Sequence, residues 1–139
     1  MFTIPAPRNE PVLGYPPGSP EKAELKAELK AMAARQVEIP LVIDGQEVRT
    51  GRLADCVMPH KHSHKLGTYH KAGEKEVKAA IKAAEKARPG WAAMPFQQRA
   101  AILLKAAELL AGRRRMQLNA ATMLGQSKTA FQAEIDSAA

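Results

Sequence analysis

Ala121-Thr122-Met123-Leu124-Gly125-Gln126-Ser127-Lys128-Thr129, followed closely by Gln132-Ala133-Glu134-Ile135-Asp136, is the stretch that decides the fold of this chain. Its first half continues a helical stripe of Met116, Leu118, Ala121 and Leu124, apolar residues recurring at the helical period. Gly125 predicts the stop of that helix. Ser127 is then expected to cap a last helix, whose apolar face would carry Phe131 and Ile135. Gly, Ser, Lys and Thr in one short run also invite a phosphate-loop reading. That motif, G-x-x-x-x-G-K-[ST], needs Gly beside Lys after a strand. Here Gln126 and Ser127 intervene, no glycine stands five residues before Gly125, and a helix precedes the run. Helix stop, turn and next cap account for it better. The chain also lacks the G-x-G-x-x-G fingerprint of a dinucleotide fold.

Upstream, the helical period holds back to Gly73. Pro95 is expected to start the strongest helix, with Ile102, Leu103, Ala106, Leu109 and Leu110 on its apolar face and Gly112 as its stop. Val77, Ala80, Ile81 and Ala84 predict a helix over residues 74–87, ended by Pro89-Gly90. Trp91 would follow in a short loop as a buried anchor. Between residues 40 and 70 the pattern is that of strands. Leu41-Val42-Ile43 and Glu47-Val48-Arg49 flank Asp44-Gly45, a pair suited to a type I′ turn because both positions need φ > 0. A second strand pair is expected over Ala54–Met58 and Leu66–His70, joined by the polar stretch Pro59–Lys65. Ser19-Pro20-Glu21 opens a helix as N-cap, first-turn proline and dipole-matched acid. Leu25, Leu29 and Met32 form its stripe, which fades by Gln36. Before it, residues 1–18 read as an extended arm, since six prolines fall in the first twenty residues. The expected organisation is that arm and one helix-and-hairpin unit over 19–139. The last helix shows no Gly, Pro or basic closing turn, which leads to the expectation of a chain cut inside an element.

The length of 139 residues is that of one domain, and 45% apolar with 25% charged residues is an ordinary balance. The apolar share is nevertheless weak, because 26 of the residues are Ala and small side chains bury little area each. Such a core is thin and is expected to lean on something larger. No apolar run is long enough to span a bilayer, and the start has no secretory pattern. The net charge of +7 could suit an acidic partner or nucleic acid. Most lysines, however, alternate with Glu as on a solvated helix face. The densest cluster, Arg113-Arg114-Arg115, has no aromatic residues interleaved for base stacking. Neither nucleic acid nor membrane is therefore expected as a partner; a small basic binding module is the alternative reading of the chain.

Two other groups could carry chemistry. His60, His62, His64 and His70 lie close together, and on an extended strand the first three would share one side. Lys61 and Lys65 would repel a cation there, so a polar hairpin connection is preferred to a metal site. Cys56 is the single cysteine, so no internal disulfide can form. It sits beside Asp55, which disfavours a thiolate, and a structural role is expected. No catalytic, cofactor-binding or metal-ligating residue is assigned within the chain.

The order of elements and several strings resemble the N-terminal region of the aldehyde dehydrogenase superfamily. Gly73-Glu74-Lys75-Glu76-Val77 through Ala87-Arg88-Pro89-Gly90-Trp91 and Phe96-Gln97-Gln98-Arg99-Ala100-Ala101-Ile102-Leu103 carry it. Asn9-Glu10-Pro11-Val12, Gly18-Ser19-Pro20-Glu21, Leu103–Leu110, Ala121–Thr129 and Gln132–Asp136 resemble its 1-pyrroline-5-carboxylate dehydrogenase branch. The resemblance implies an α/β aldehyde dehydrogenase fold in a full-length parent. This chain would be a helix-rich α+β part of it, with two small β-hairpins and no complete Rossmann sheet. It implies NAD-dependent oxidation of L-glutamate γ-semialdehyde to L-glutamate in proline breakdown. A thiolate attacks the aldehyde, hydride passes to NAD and an activated water releases the acid. The thiol, the general base, the nucleotide site and a carboxylate near the substrate amine are all placed beyond this chain by the resemblance. The chain alone is thus expected to be inactive and to bind no cofactor. The parent is expected to be a homo-oligomer, cytoplasmic in a bacterium or in the mitochondrial matrix of a eukaryote.

Overall fold

Ser19 does at the start of helix α1 (Pro20–Ala33) what its side chain suits it for: its hydroxyl accepts the amide of Lys22 at 3.3 Å. The computed structural model describes residues 5–138. The expectations for residues 1–4 of the arm and for Ala139 lie outside these. Leu25 is buried on α1, and Leu29 and Met32 pack beside it, so the sequence stripe marks the packed face. Its partner is helix α4 (Arg115–Gln126). Tyr15 from the arm, Leu25 and Ala120 form the apolar centre, with Leu13, Met116 and Met123 around it.

Both expected strand pairs form, and the departures lie in the length of one strand and in a third strand beside it. Strands β2 (Leu41–Ile43) and β3 (Gln46–Val48) form a hairpin, and Asp44 and Gly45 have φ of 52° and 74° as a type I′ turn requires. Strands β4 (Leu53–Met58) and β5 (Lys61–His70) pair antiparallel, but β5 begins at Lys61. The expected connection Pro59–Lys65 is therefore mostly strand, with register shifts on either side of Val57 absorbing the mismatch. A third strand, β1 (Val37–Ile39), runs parallel to β5 and gives the order β1-β5-β4. Three residues flanked by Gln36 and Pro40 carry too little alternation to be seen in sequence. Gly67 makes the pairing possible. A Cβ there would lie 2.1 Å from the carbonyl oxygen of Val37.

Helix α2 (Glu74–Ala93) runs through Pro89 instead of ending there. A proline removes one N–H, and the bonding resumes beyond it, with Met94 N donating to Gly90 O at 3.1 Å. Trp91 is consequently on a helix and 43% exposed, not a buried loop anchor. Helix α3 (Phe96–Ala111) starts after Pro95 and stops at Gly112, as expected. Neither α2 nor α3 buries a single residue. Helix α5 (Ala130–Ala133) is capped by Thr129, whose hydroxyl accepts the amide of Gln132 at 3.3 Å. Ser127 instead terminates α4 in the left-handed region, φ 57°. Beyond α5 the chain continues as a π-helical turn, Glu134–Ala138. Across α5 and this turn the exposed side carries Phe131 and Ile135, and the buried side Ala133 and Glu134, the reverse of the expected face.

Gly67→Ala should lower stability by about 1–3 kcal/mol, the usual cost of forcing a methylene into a filled space. A urea melt checks it. An unchanged midpoint would mean that β1 does not pack against β5 as described.

Candidate functional site

Four polar residues without any apolar period, Arg115, Asn119, Glu134 and Tyr15, are brought together by tertiary packing. Arg115 and Asn119 are one turn apart on α4, and with Thr122 they make a polar stripe. Glu134 and Ser137 face that stripe from the last helix, and Thr122 Oγ1 lies 2.8 Å from Ser137 Oγ. Glu134 and Asn119 are fully buried, and Arg115 and Tyr15 are each 7% exposed.

Every lone pair of the Glu134 carboxylate is engaged. Oε1 accepts from Leu13 N at 2.9 Å and from Arg115 Nε at 3.0 Å, and also from Arg115 Nη2. Oε2 accepts from the Tyr15 hydroxyl at 2.6 Å and from Asn119 Nδ2 at 2.7 Å. Arg115 in turn donates to Glu10 Oε1 and to the carbonyl oxygen of Pro11, each at 2.5 Å, and to that of Ala111 at 3.1 Å. Burial pushes the Glu134 carboxyl up. The donors, Arg115 first, outweigh it and hold the group at about 2. Burial and the Glu134 hydrogen bond push the Tyr15 hydroxyl up to about 12. The hydrogen bond to Glu134 raises Arg115 above its ordinary value despite burial. A carboxylate so saturated and so acidic has no affinity for a substrate proton near neutral pH. The arrangement is chemically a clamp.

The other candidates are dispersed. His60 Nδ1 meets Ser127 Oγ at 2.7 Å, and His64 Nε2 donates to Ala33 O at 2.9 Å. His70 is buried. Its Nδ1 accepts from Gly51 N at 3.2 Å, so Nε2 carries the proton and donates to Glu38 Oε1 at 2.8 Å. That bond, with Arg49, holds the Glu38 carboxyl below its usual range. Among the described residues no three His, Cys, Asp or Glu converge as metal ligands. Cys56 is a half-buried free thiol on β4, opposite Gly67, and Asp55 beside it pairs with Lys65 at 2.6 Å. Arg113-Arg114-Arg115 is not one surface cluster, because Arg115 points inward and Arg114 bonds Gln117 at 2.7 Å. Gly125 and Gln126 are the last residues of α4, which runs past the expected stop at Gly125, and Ser127–Thr129 is the turn after it, so the run does not lead from a strand into a helix as a phosphate loop does. β5, parallel to β1, leads through Lys71, Ala72 and Gly73 into α2, and that connection carries one glycine where a dinucleotide fingerprint has three. No helix of the described residues is long and apolar enough to cross a membrane.

The sequence signal for the clamp was the spacing of Arg115, Asn119 and Thr122 on one helix, against Ala130, Ala133, Glu134 and Ser137 on the next. In sequence a polar stripe reads as a solvated face, which hides it.

Residues 46–139 match the model of the aldehyde dehydrogenase family, and the chain belongs to that family. Within it, this chain is 50% identical over 139 residues to the Delta-1-pyrroline-5-carboxylate dehydrogenase of Agaricus bisporus, covering 99% of this chain and 26% of that one. It is 44% identical over 131 residues to the mitochondrial Delta-1-pyrroline-5-carboxylate dehydrogenase of Homo sapiens, covering 94% and 23%. The crystal structure of the Mycobacterium tuberculosis Delta-pyrroline-5-carboxylate dehydrogenase bound with NAD superposes with a TM-score of 0.93 at 47% identity, covering 98% of this chain and 26% of that one. The chain thus spans about a quarter of the length of these relatives. The helix-rich part with small sheets and no complete Rossmann sheet is the part of the fold that the resemblance led one to expect.

Glu134→Gln should cost about 3–5 kcal/mol, because it leaves Arg115 buried without its charge partner. Chemical denaturation of both forms checks it, and a change below 1 kcal/mol would contradict the clamp. The pH dependence follows from the depressed carboxyl. Stability should be complete above the ordinary carboxyl value of 4.5 and fall as the pH drops toward about 2. Glu134→Gln should flatten that acid limb of the melting profile.

Proposed function

We propose that this chain forms the N-terminal helix-and-hairpin part of an NAD-dependent 1-pyrroline-5-carboxylate dehydrogenase, which oxidises L-glutamate γ-semialdehyde to L-glutamate in proline catabolism. The observation that carries this reading is the likeness to such dehydrogenases along nearly the whole chain, with a TM-score of 0.93 to the one bound with NAD. The reacting thiol, the general base and the nucleotide site belong, in this reading, to the remaining length of the enzyme. The chain contributes a scaffold and no catalytic group.

Its surface supports that role. On α3, Phe96 is 57% exposed, Ile102 50% and Leu103 65%. Trp91, Phe96, Leu103 and Leu104 line an open groove of about 630 Å³ with Arg99, whose Nε is buried without a partner. Exposed apolar faces of this extent mark surfaces made to be covered, and the rest of the enzyme is the proposed cover. In this reading the complete enzyme is a homo-oligomer without nucleic-acid or membrane partners. It works in the cytoplasm of a bacterium or the mitochondrial matrix of a eukaryote; the human relative is a mitochondrial enzyme.

Two measurements test the proposal. The chain alone, given semialdehyde and NAD, should form no NADH above the blank; turnover would overturn the scaffold role. A chimera in which this chain replaces the corresponding quarter of the Agaricus enzyme should still form NADH. A folded but inactive chimera would overturn the assignment.

A further inference from the structure

We propose that the arm over residues 5–18 is a strap latched by the Arg115–Glu134 ion pair, so that the arm and the π turn open and close together. The arm has no strand partner and no helix of its own over residues 5–18. Its polar attachments to the body gather at one ion pair, with Asn119 Nδ2 and Met116 Sδ also bonding the Tyr15 hydroxyl beside it. Leu13 N and the Tyr15 hydroxyl donate to Glu134, while Glu10 and the carbonyl of Pro11 accept from Arg115.

Three further features suit a latch. Tyr15 is held at φ 50°, a conformation that a bulky L residue adopts only when its surroundings enforce it. Glu134 sits in the first position of a π turn, a distorted and rarely stable form of helix. Asn119 Oδ1 is buried without a donor, an imperfection that closure tolerates and opening to water would relieve. Strain in the arm, an unusual helical form and an orphan acceptor thus all meet at one carboxylate.

The coupling is reciprocal by thermodynamic necessity. Withdrawing Leu13 and Tyr15 removes two donors from a buried charge and destabilises the π turn that carries it. Unwinding that turn withdraws the carboxylate from Arg115 and Tyr15 and frees the arm. The two segments, more than a hundred residues apart, behave as one opening unit.

Hydrogen exchange on the full chain tests this. Tyr15→Phe removes one donor from the arm and nothing from the last helix. It should speed exchange of the amides of residues 134–138 by about tenfold or more. Glu134→Gln should speed exchange at Leu13 by at least as much. In both variants the amides of the β2–β3 hairpin should exchange as in the parent. Should Glu134→Gln fail to fold, the Tyr15→Phe measurement decides alone. Faster exchange confined to the arm, or spread over the hairpin as well, overturns the proposal, since the first means independent opening and the second global unfolding.

Discussion

A guanidinium and a carboxylate taken out of water together set the constraint on which this structure depends. Desolvating either alone would cost several kcal/mol, so each must be met by opposite charge and by hydrogen bonds. Glu134 is met by Arg115, Asn119, Tyr15 and a backbone amide, and Arg115 by Glu10 and two carbonyls. Those partners come from the arm, from α4 and from the last helix. No two of these segments satisfy the charges without the third. The pair therefore fixes residues 10–15 of the arm, α4 and the last helical turn against one another, which a small apolar centre of Tyr15, Leu25 and Ala120 would specify only loosely.

The rest of the molecule is arranged unevenly around that point. α1 and α4 pack face to face, the three-stranded sheet adjoins α4, and α2 and α3 bury nothing. Alanine-rich and leucine-bearing faces that stay open make sense in a chain that spans a quarter of the length of its relatives. The thin core inferred from composition and the open faces seen in the structure are one fact described twice.

Legibility followed the range of the interaction. Ser19 and Pro20 at a helix start, Asp44-Gly45 in a turn and Gly112 at a stop act through their own backbone, and each was readable from neighbours in sequence. Pro89 misled because a proline forbids one hydrogen bond but not the helix around it. β1 escaped because three residues carry no period, and its place was decided by Gly67, thirty residues away, leaving room for the Val37 carbonyl. In the last helix hydrophobic spacing points to the wrong side, because it assumes that the chain's own core is the partner. Phe131 and Ile135 face outward instead.

By itself, then, the sequence determined the local elements, the likeness to one dehydrogenase branch and the absence of a nucleotide-binding fingerprint. These depend on residue types at short spacing, which a sequence states directly. Only the tertiary structure decided that Arg115 leaves its basic run to become a core residue, and that Glu134 is the most deeply held acid of the chain. The physical reason is that burial of a charge is settled by what stands opposite it. The groups opposite Glu134 lie at positions 13, 15, 115 and 119, a set that no local pattern connects.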